Sequence, residues 1–201
     1  FTGIWVCMVR ITHELIRDHA RQALNPLGDR YLSLRGLKIN AIENLGATSD
    51  HFACLDLSDN SLTKLDGFPP LQRLRCLVAC NNRISRMDVE LLSYCLPNLE
   101  SLVLTNNSFT TLLALHPLGH AKRLERLTLT GNPVQKECPA PVQCPEAPSG
   151  PELYRAFLIH HIPSLRFLDR ERITEKERQT TRELFGTVTG ASLLTFLLNE
   201  S

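Results

Sequence analysis

Aromatic side chains are scarce in this chain: they make up 6% of its 201 residues, with a single tryptophan. Proteins that bind single-stranded nucleic acid stack the bases on several aromatic rings, and this chain offers no such platform. An excess of charge of one sign is also missing, because 22 Lys and Arg residues are balanced by 21 Asp and Glu residues. Any contact with nucleic acid must therefore be local.

Motifs of the common enzyme classes are missing as well. Ser and His occur without a G-x-S-x-G turn, and none of the ten glycines belongs to a phosphate-binding loop. Cys138 and Cys144, with His160 and His161 further on, lack the close spacing of zinc sites. We predict a protein that is not an enzyme, with no metal, other cofactor or small-molecule substrate.

No hydrophobic run is long enough to cross a bilayer. The apolar segment 193–198 is far shorter than the ~20 residues that a membrane-spanning helix needs. No signal peptide and no lysine-rich targeting run is recognisable. Cys54, Cys76, Cys80 and Cys95 lack the clustered arrangement of extracellular caps. We expect no membrane contact and a reduced compartment.

One spacing of leucines and asparagines recurs along the chain. In 99–112 it is Leu-x-x-Leu-x-Leu-x-x-Asn-x-Phe-x-x-Leu, and it returns in 52–65, 74–87 and 124–134. The shared asparagines lie 22, 25 and 25 residues apart, within the ~20–29 residue period of leucine-rich repeats. These asparagines, which we predict to be structural, are Asn60, Asn82, Asn107 and Asn132.

Each repeat has an inner and an outer face. The Leu-x-Leu core alternates with period two, as in a short strand with its leucines on one side. A single repeat cannot bury its leucines, so the repeats must stack strand beside parallel strand. The pattern predicts an α/β fold, a leucine-rich-repeat solenoid with a curved parallel sheet. The outer return is compatible with a helix, a 3₁₀ turn or extended chain.

Both ends of the solenoid are predicted to be capped. Thr12 is placed to cap a helix over roughly 13–23, and the first repeat, 32–42, has Leu37 where the others have asparagine. At the other end we expect a helix near 154–162 and a strand at 164–169. Thr174 and Glu177 form a capping-box pattern that opens a helix to about residue 185.

These features predict one domain. It covers residues 8–185 and has an inserted proline-rich loop at 136–151. Residues 1–7 are unlike the rest of the chain and are interpreted as a leader, with Met8 as a possible start. Residues 186–201 are left unassigned.

The concave face is the predicted partner site, because it is the usual binding surface of a solenoid. The residues beside the strand leucines are mixed small polar and apolar, which suits a protein helix better than phosphates. They are Ser33, Arg35, Asp56, Ser58, Val78, Cys80, Val103, Thr105, Thr128 and Thr130. Val78 and Val103 are the strongest candidates, although a merely solvated inner face remains an alternative.

Two segments are locally basic. Residues 8–38 contain six basic and three acidic side chains, and residues 61–86 contain five basic ones and Asp66. Four residues of the first segment are candidates for contacts with RNA phosphates: Arg10, Arg17, Arg35 and Lys38. A solvated face is the alternative for both clusters.

Runs between the repeats carry a resemblance to a known family. The runs IENLGAT (42–48) and KLDGFP (64–69), with MVRITHELI (8–16), resemble the A-prime family of the U2 small nuclear ribonucleoprotein. The resemblance covers about 8–185 and also includes Tyr154-Arg155 and Leu168-Asp169. The chain departs from that family in the loop at 136–151, which is longer, and after Gly186.

The resemblance implies a non-catalytic, nuclear splicing scaffold. Its concave face would bind a partner with an RNA-recognition motif, of the B-double-prime type, and basic residues would assist binding of a U2 small nuclear RNA stem-loop through that partner. An alternative is an intracellular repeat adaptor that binds only protein, of the phosphatase-regulatory or dynein-associated type.

Overall fold

The computed structural model describes residues 11–19, 24, 28–136 and 149–186. Every strand among these described residues is two or three residues long. In chain order they are β1 (Tyr31–Ser33), β2 (Cys54–Asp56), β3 (Lys64–Leu65), β4 (Cys76–Val78), β5 (Arg86–Met87), β6 (Ser101–Val103), β7 (Arg126–Thr128), β8 (Phe167–Leu168) and β9 (Glu171–Arg172). Three α-helices accompany them: α1 (His13–His19), α2 (Pro151–His161) and α3 (Glu175–Gly186).

The main sheet follows the order of the repeats. Its strands lie in the order β1-β2-β4-β6-β7-β8-β9, parallel from β1 to β8 and antiparallel between β8 and β9. One leucine from each parallel strand is in register with the next and is fully or almost fully buried: Leu32, Leu55, Leu77, Leu102, Leu127 and Leu168. The predicted leucine-rich-repeat solenoid is therefore confirmed.

The convex side uses several kinds of return. A second sheet of two parallel strands, β3 and β5, connects two neighbouring repeats. Other repeats return through 3₁₀ helices at Leu45–Thr48, Leu113–His120 and Pro133–Gln135, and one returns through a π-helix at Leu91–Cys95. The apolar spacing left these possibilities open, and the structure uses both helical and extended forms.

The chain leaves each strand through one residue with a left-handed backbone. The residues at this place are Gly or short polar residues, which tolerate a positive φ: Gly36, Asp59, Asn81, Asn106 and Gly131. Gly131 has a second constraint, because a Cβ there would lie 2.2 Å from Asn106 Oδ1. The residue after Gly36 is Leu37, and the residue after each of the other four turns is the buried repeat asparagine.

Each repeat asparagine joins its own repeat to the one before it. Asn107 Nδ2 donates to Leu104 O in its own repeat (3.0 Å) and to Ala79 O in the preceding repeat (2.9 Å). Its Oδ1 accepts from the amide of Ile84, also in the preceding repeat (3.0 Å). Asn60, Asn82 and Asn132 make the same three bonds. The first repeat has no preceding repeat to which an asparagine could bond. Leu37 can therefore take the asparagine position there.

The N-terminal helix covers the apolar end of the first repeat. Thr12 Oγ1 accepts from the amide of Leu15 (3.1 Å), which is the predicted cap of α1. Ile11 and Ile16 are buried, and Ile11 O accepts from Asn44 Nδ2 (3.1 Å). The structure describes this helix only to His19; residues 20–23 of the predicted helix lie outside the described residues.

The C-terminal cap differs in detail from the prediction. Helix α2 begins at Pro151 rather than near Tyr154, because proline fits the first turn of a helix, where no amide donor is needed. The strand predicted over 164–169 is reduced to β8, since Ser164 Oγ instead bonds the carbonyls of Ala121 (3.1 Å) and Leu124 (2.9 Å). The antiparallel β9 was not predicted.

The last helix begins as its sequence pattern indicates. The Thr174 amide donates to Glu177 Oε2 (2.7 Å), and the Glu177 amide donates to Thr174 Oγ1 (3.2 Å). This is the reciprocal capping box of α3. Cys138 and Cys144 lie outside the described residues. Within the described part of the chain, no helix is both long enough and apolar enough to cross a bilayer.

Candidate protein and RNA interface

The ten residues predicted for the partner site lie in two neighbouring rows on the concave face. The first, which we call the valine row, consists of residues in register across the strands: Ser33, Asp56, Val78, Val103 and Thr128. The second, the exit row, is joined by backbone hydrogen bonds beyond the strand ends: Arg35, Ser58, Cys80, Thr105 and Thr130. The structure thus brings all ten together on one surface.

Accessibility divides these ten residues. Val78 and Val103 are directly adjacent and partly exposed, as expected of a contact surface. Asp56 and Ser58 are only 7% and 2% exposed, so little of either side chain is accessible, and their role as contact residues stays a prediction. Asp56 accepts from the Tyr31 hydroxyl (2.9 Å) and from the Ser58 amide (2.8 Å), and these bonds hold the carboxylate within the protein surface.

A third row was not predicted from the sequence. It consists of the residue before each strand leucine, and we call it the entry row: Tyr31, Cys54, Cys76, Ser101, Arg126 and Phe167. The period-two alternation that identified the valine row assigns these residues to the same face, because both neighbours of an inward leucine point outward. Phe167 is 36% exposed, and the Arg126 guanidinium lies 5.8 Å from the centre of its ring. The row thus ends in a cation–π pair.

A chain of polar side chains borders the concave face at the strand exits. Asn106 Nδ2 donates to Asn81 Oδ1 (2.9 Å), and Asn81 Nδ2 donates to Asp59 Oδ1 (2.7 Å). Arg35 Nε donates to the other oxygen of Asp59. The hydrogen bonds from Asn81 and Arg35 lower the pKa of the Asp59 carboxyl. Arg35 is thus ion-paired within the chain.

The predicted RNA contacts are placed at the N-terminal end of the solenoid. Arg17 is exposed on α1, where its Nε lies 3.9 Å from Asp18 Oδ1. Arg35 and Lys38 are exposed just beyond β1. Arg10 lies outside the described residues. Arg17 and Arg35 each have an anionic neighbour, but only Arg35 is hydrogen-bonded to it, whereas Arg17 lies at the longer distance from Asp18.

The opposite edge, at the amino ends of the strands, collects a different set of arginines. Arg30, Arg73, Arg75 and Arg123 line one groove together with His51 and two acidic residues. One of these arginines is paired, since Arg75 Nε lies 3.9 Å from Glu100 Oε1. Residues far apart in sequence form this edge: Arg30 comes from the first basic segment, Arg73 and Arg75 come from the second, and Arg123 belongs to neither.

His161, one of the two histidines considered for a zinc site, packs against His116 and Phe157. The rings of His116 and His161 are 5.1 Å apart, and His161 Nε2 lies 2.8 Å from His116 O. His161 also stacks on Phe157, and burial lowers its pKa. In the part of the chain that the structure describes, no group of three or more His, Cys, Asp or Glu residues is arranged to hold a metal ion.

Comparison with known proteins identifies the family. Residues 8–196 match the family model described as leucine-rich repeat. The chain is 44% identical over 186 residues to the U2 small nuclear ribonucleoprotein A′ of Homo sapiens. The aligned region covers 92% of this chain and 67% of the human protein. It belongs to the U2 small nuclear ribonucleoprotein A′ family.

Other members support this placement. The probable A′ protein of Drosophila melanogaster is 43% identical over 187 residues, covering 93% of this chain and 64% of that protein. The crystal structure of the Drosophila melanogaster SNF/U2A′ complex contains a chain that is 42% identical, with a TM-score of 0.80, covering 94% of this chain and 99% of that one. The A′ family is a non-catalytic component of the U2 ribonucleoprotein, so the chain is not an enzyme.

Proposed function

We propose that this chain is a scaffold of the U2 small nuclear ribonucleoprotein in pre-mRNA splicing, and that its concave face binds a protein with an RNA-recognition motif. The observation that carries the proposal is the match, at a TM-score of 0.80 over 94% of the chain, to a U2A′ protein crystallised in complex with SNF. A nuclear location follows from membership of this particle.

The concave face has the chemistry that such a partner needs. Val78 and Val103 form a small apolar centre, and the entry and exit rows around it are mostly polar. Interfaces of this kind have a desolvated centre and a polar rim. The pair Arg126 and Phe167 adds an arginine and an aromatic ring, the residue types that most often dominate binding energy.

RNA is reached chiefly through the partner. The concave face lacks a series of exposed aromatic rings, so the chain itself has little means of reading bases. Arg10, Arg17, Arg35 and Lys38 are proposed to contact phosphates of a U2 small nuclear RNA stem-loop once the partner has positioned it. The isolated chain should then bind RNA weakly and with strong salt dependence.

The test is a pull-down from nuclear extract with the full chain, with and without ribonuclease. The variant Val78→Asp/Val103→Asp places two charges at the centre of the concave face. Val89→Asp is the matched control, because Val89 is 52% exposed and lies outside the valine, entry and exit rows. We expect the parent and the control to recover an RNA-recognition-motif protein and U2 small nuclear RNA.

Two results decide between the candidate functions. Loss of the protein partner from the double variant, with its retention after ribonuclease treatment, supports a direct contact on the concave face. Recovery of phosphatase or dynein subunits instead would favour the adaptor that binds only protein. No feature of the described residues specifically favours that second function.

A further inference from the structure

Two cysteines are direct neighbours on the concave face. Cys54 on β2 and Cys76 on β4 are in register across adjacent parallel strands, and both belong to the entry row. Both are free thiols. Neighbouring strands lie about 4.7–4.9 Å apart, within the Cα separation of about 4.4–6.8 Å that a disulfide spans. The two sulfurs can therefore be joined without a change of register.

Cys76 and Cys54 differ in reactivity. Cys76 is partly exposed, whereas Cys54 is buried. The hydrogen bond between them lowers the pKa of Cys76, an effect opposed by burial and reinforced by a hydrogen bond from Ser101. The same hydrogen bond and burial raise the pKa of Cys54. Cys76 is thus the thiol that an oxidant meets first, with Cys54 beside it as a second thiol.

We propose that Cys54 and Cys76 form a redox-active dithiol on the concave face, which hydrogen peroxide converts to an intramolecular disulfide. The Cys76 thiolate attacks one peroxide oxygen, the O–O bond breaks, and the departing hydroxide takes a proton to become water. Cys76 is then a sulfenic acid, oxidised by two electrons. The sulfur of Cys54 attacks it, the S–S bond forms, the S–O bond breaks, and the hydroxyl leaves as water with the proton of Cys54.

The disulfide changes the surface that receives the partner. Cys76 and Val78 are on the same short strand, so a bridge beside the valine row alters the shape of the centre of the site. Affinity at such a centre depends on close packing. Oxidation therefore weakens partner binding. This consequence rests on the proposed function, whereas formation of the disulfide is independent of it.

The first experiment tests the bridge without any partner. The reduced full chain is treated with hydrogen peroxide, remaining thiols are alkylated, and the protein is digested with trypsin without reductant. Cys54 is in peptide 39–64, and Cys76 and Cys80 are both in peptide 76–83. We expect these peptides to be joined, with a mass about 2 Da below the sum of the reduced peptides.

Three variants assign the bridge. Cys54→Ser and Cys76→Ser should abolish the joined peptide, whereas Cys80→Ser should leave it unchanged. Cys80 is the matched control, because it lies four residues beyond Cys76, about 13 Å along an extended chain and out of reach of Cys54. The inference is overturned if the peptides remain joined in Cys76→Ser, or if Cys76 of the parent proceeds to sulfinic acid with no bridge.

The second experiment measures binding of the RNA-recognition-motif protein to the reduced and the oxidised chain. We expect oxidation to weaken binding about tenfold, or ~1.4 kcal/mol. The variant Cys54→Ser/Cys76→Ser should bind equally before and after peroxide treatment. Equal affinity of the two parent forms would overturn the regulatory role while leaving the bridge intact. Absence of binding by both forms would instead count against the proposed function.

Discussion

The repeats and the C-terminal cap meet the same requirement with different chemistry. At the end of each inner strand, buried backbone groups need partners. In the repeats a neutral amide supplies them, as Asn107 does for Ile84 N and Ala79 O. In the cap a carboxylate acts at another position: Asp169, which directly follows the strand leucine Leu168, accepts from Leu129 N (2.7 Å) and from the Tyr154 hydroxyl (2.9 Å). The counterpart of Leu129 N in the preceding repeat, Leu104 N, donates instead to the backbone carbonyl of Thr128 (2.7 Å).

The difference arises from what each group can donate. A side-chain amide both donates and accepts hydrogen bonds, so an asparagine can join its own repeat to the preceding one. The same bonds can be made again at every further repeat. A carboxylate only accepts, so it suits the last position, where the preceding repeat still offers donors. Asp169 also accepts from Gln135 Nε2 (2.9 Å), which leaves its oxygens well occupied. Asparagine amides thus connect the successive repeats, and the carboxylate of Asp169 accepts hydrogen bonds at the C-terminal end of the stack.

The largest expected effect comes from breaking the amide stack at Asn107. Asn107→Ala leaves the buried amide of Ile84 without its partner. It also removes one donor each from Ala79 O and Leu104 O, which keep their bonds from Asn82 and Asn132. We expect a loss of about 3 kcal/mol of unfolding free energy, at the upper end of the cost of orphaned buried groups. Urea denaturation followed by circular dichroism measures it.

Asn106→Gly is the matched control for this prediction. Asn106 is exposed, has a φ of 54°, and its side chain donates to Asn81 on the surface. Its backbone amide donates to Thr130 O, a bond that glycine keeps. Glycine keeps the left-handed backbone, so the cost should stay below about 1 kcal/mol. Equal losses for the two variants would show that the buried position of the amide is not what matters.

A smaller effect is expected in the cap from Tyr154→Phe. The ring stays in its buried place, and only the hydrogen bond to the ionised Asp169 is lost. Hydrogen bonds to charged groups contribute about 1.5–3 kcal/mol, so we expect a loss of about 2 kcal/mol in the same assay. Tyr94→Phe, at a residue 62% exposed, should have no measurable effect. A neutral outcome for Tyr154→Phe would argue that the cap does not depend on this carboxylate.

The smallest effect concerns the ion pair of the cap and its dependence on pH. Burial raises the pKa of Glu177, but hydrogen bonds from Arg155 and Thr174 outweigh it and lower the pKa from 4.5 to about 2. A carboxyl group with a lowered pKa stabilises the fold above its unfolded pKa, and this is lost as pH falls from 4.5 towards 2. Because the side chain is 33% exposed, we expect only about 1 kcal/mol.

Glu177→Gln tests that sign. The variant should be less stable than the parent at pH 7, and the two stability curves should converge between pH 4.5 and 2, where the parent loses its ion pair. Glu183→Gln is the control, since Glu183 is exposed on the same helix and accepts only from Gln179. A constant difference in unfolding free energy between the parent and Glu177→Gln across this pH range would show that ionisation of Glu177 is not the cause of the lost stability.

Much of the site could be predicted from residues close in sequence. The alternation around each strand leucine placed Val78 and Val103 side by side, because a period of two fixes which residues share a face. The same alternation assigns Arg126 and Phe167 to that face, although the prediction took only the residues on one side of each leucine. The alternation could not show that Asp56 is buried, because its burial depends on Tyr31, which belongs to a different repeat.

The sequence by itself determined the repeat: its period, the inward leucines and the four buried asparagines, because these depend on spacing within one unit and on stacking of like upon like. Only the tertiary structure decided which separate residues meet. It brought the Tyr31 hydroxyl to the Asp56 carboxylate, Arg30 into one groove with Arg73, Arg75 and Arg123, and the Asp169 carboxylate to the amide of Leu129. The physical reason is that these contacts depend on the register between repeats and on the geometry of the cap, neither of which is contained in the spacing of a single unit.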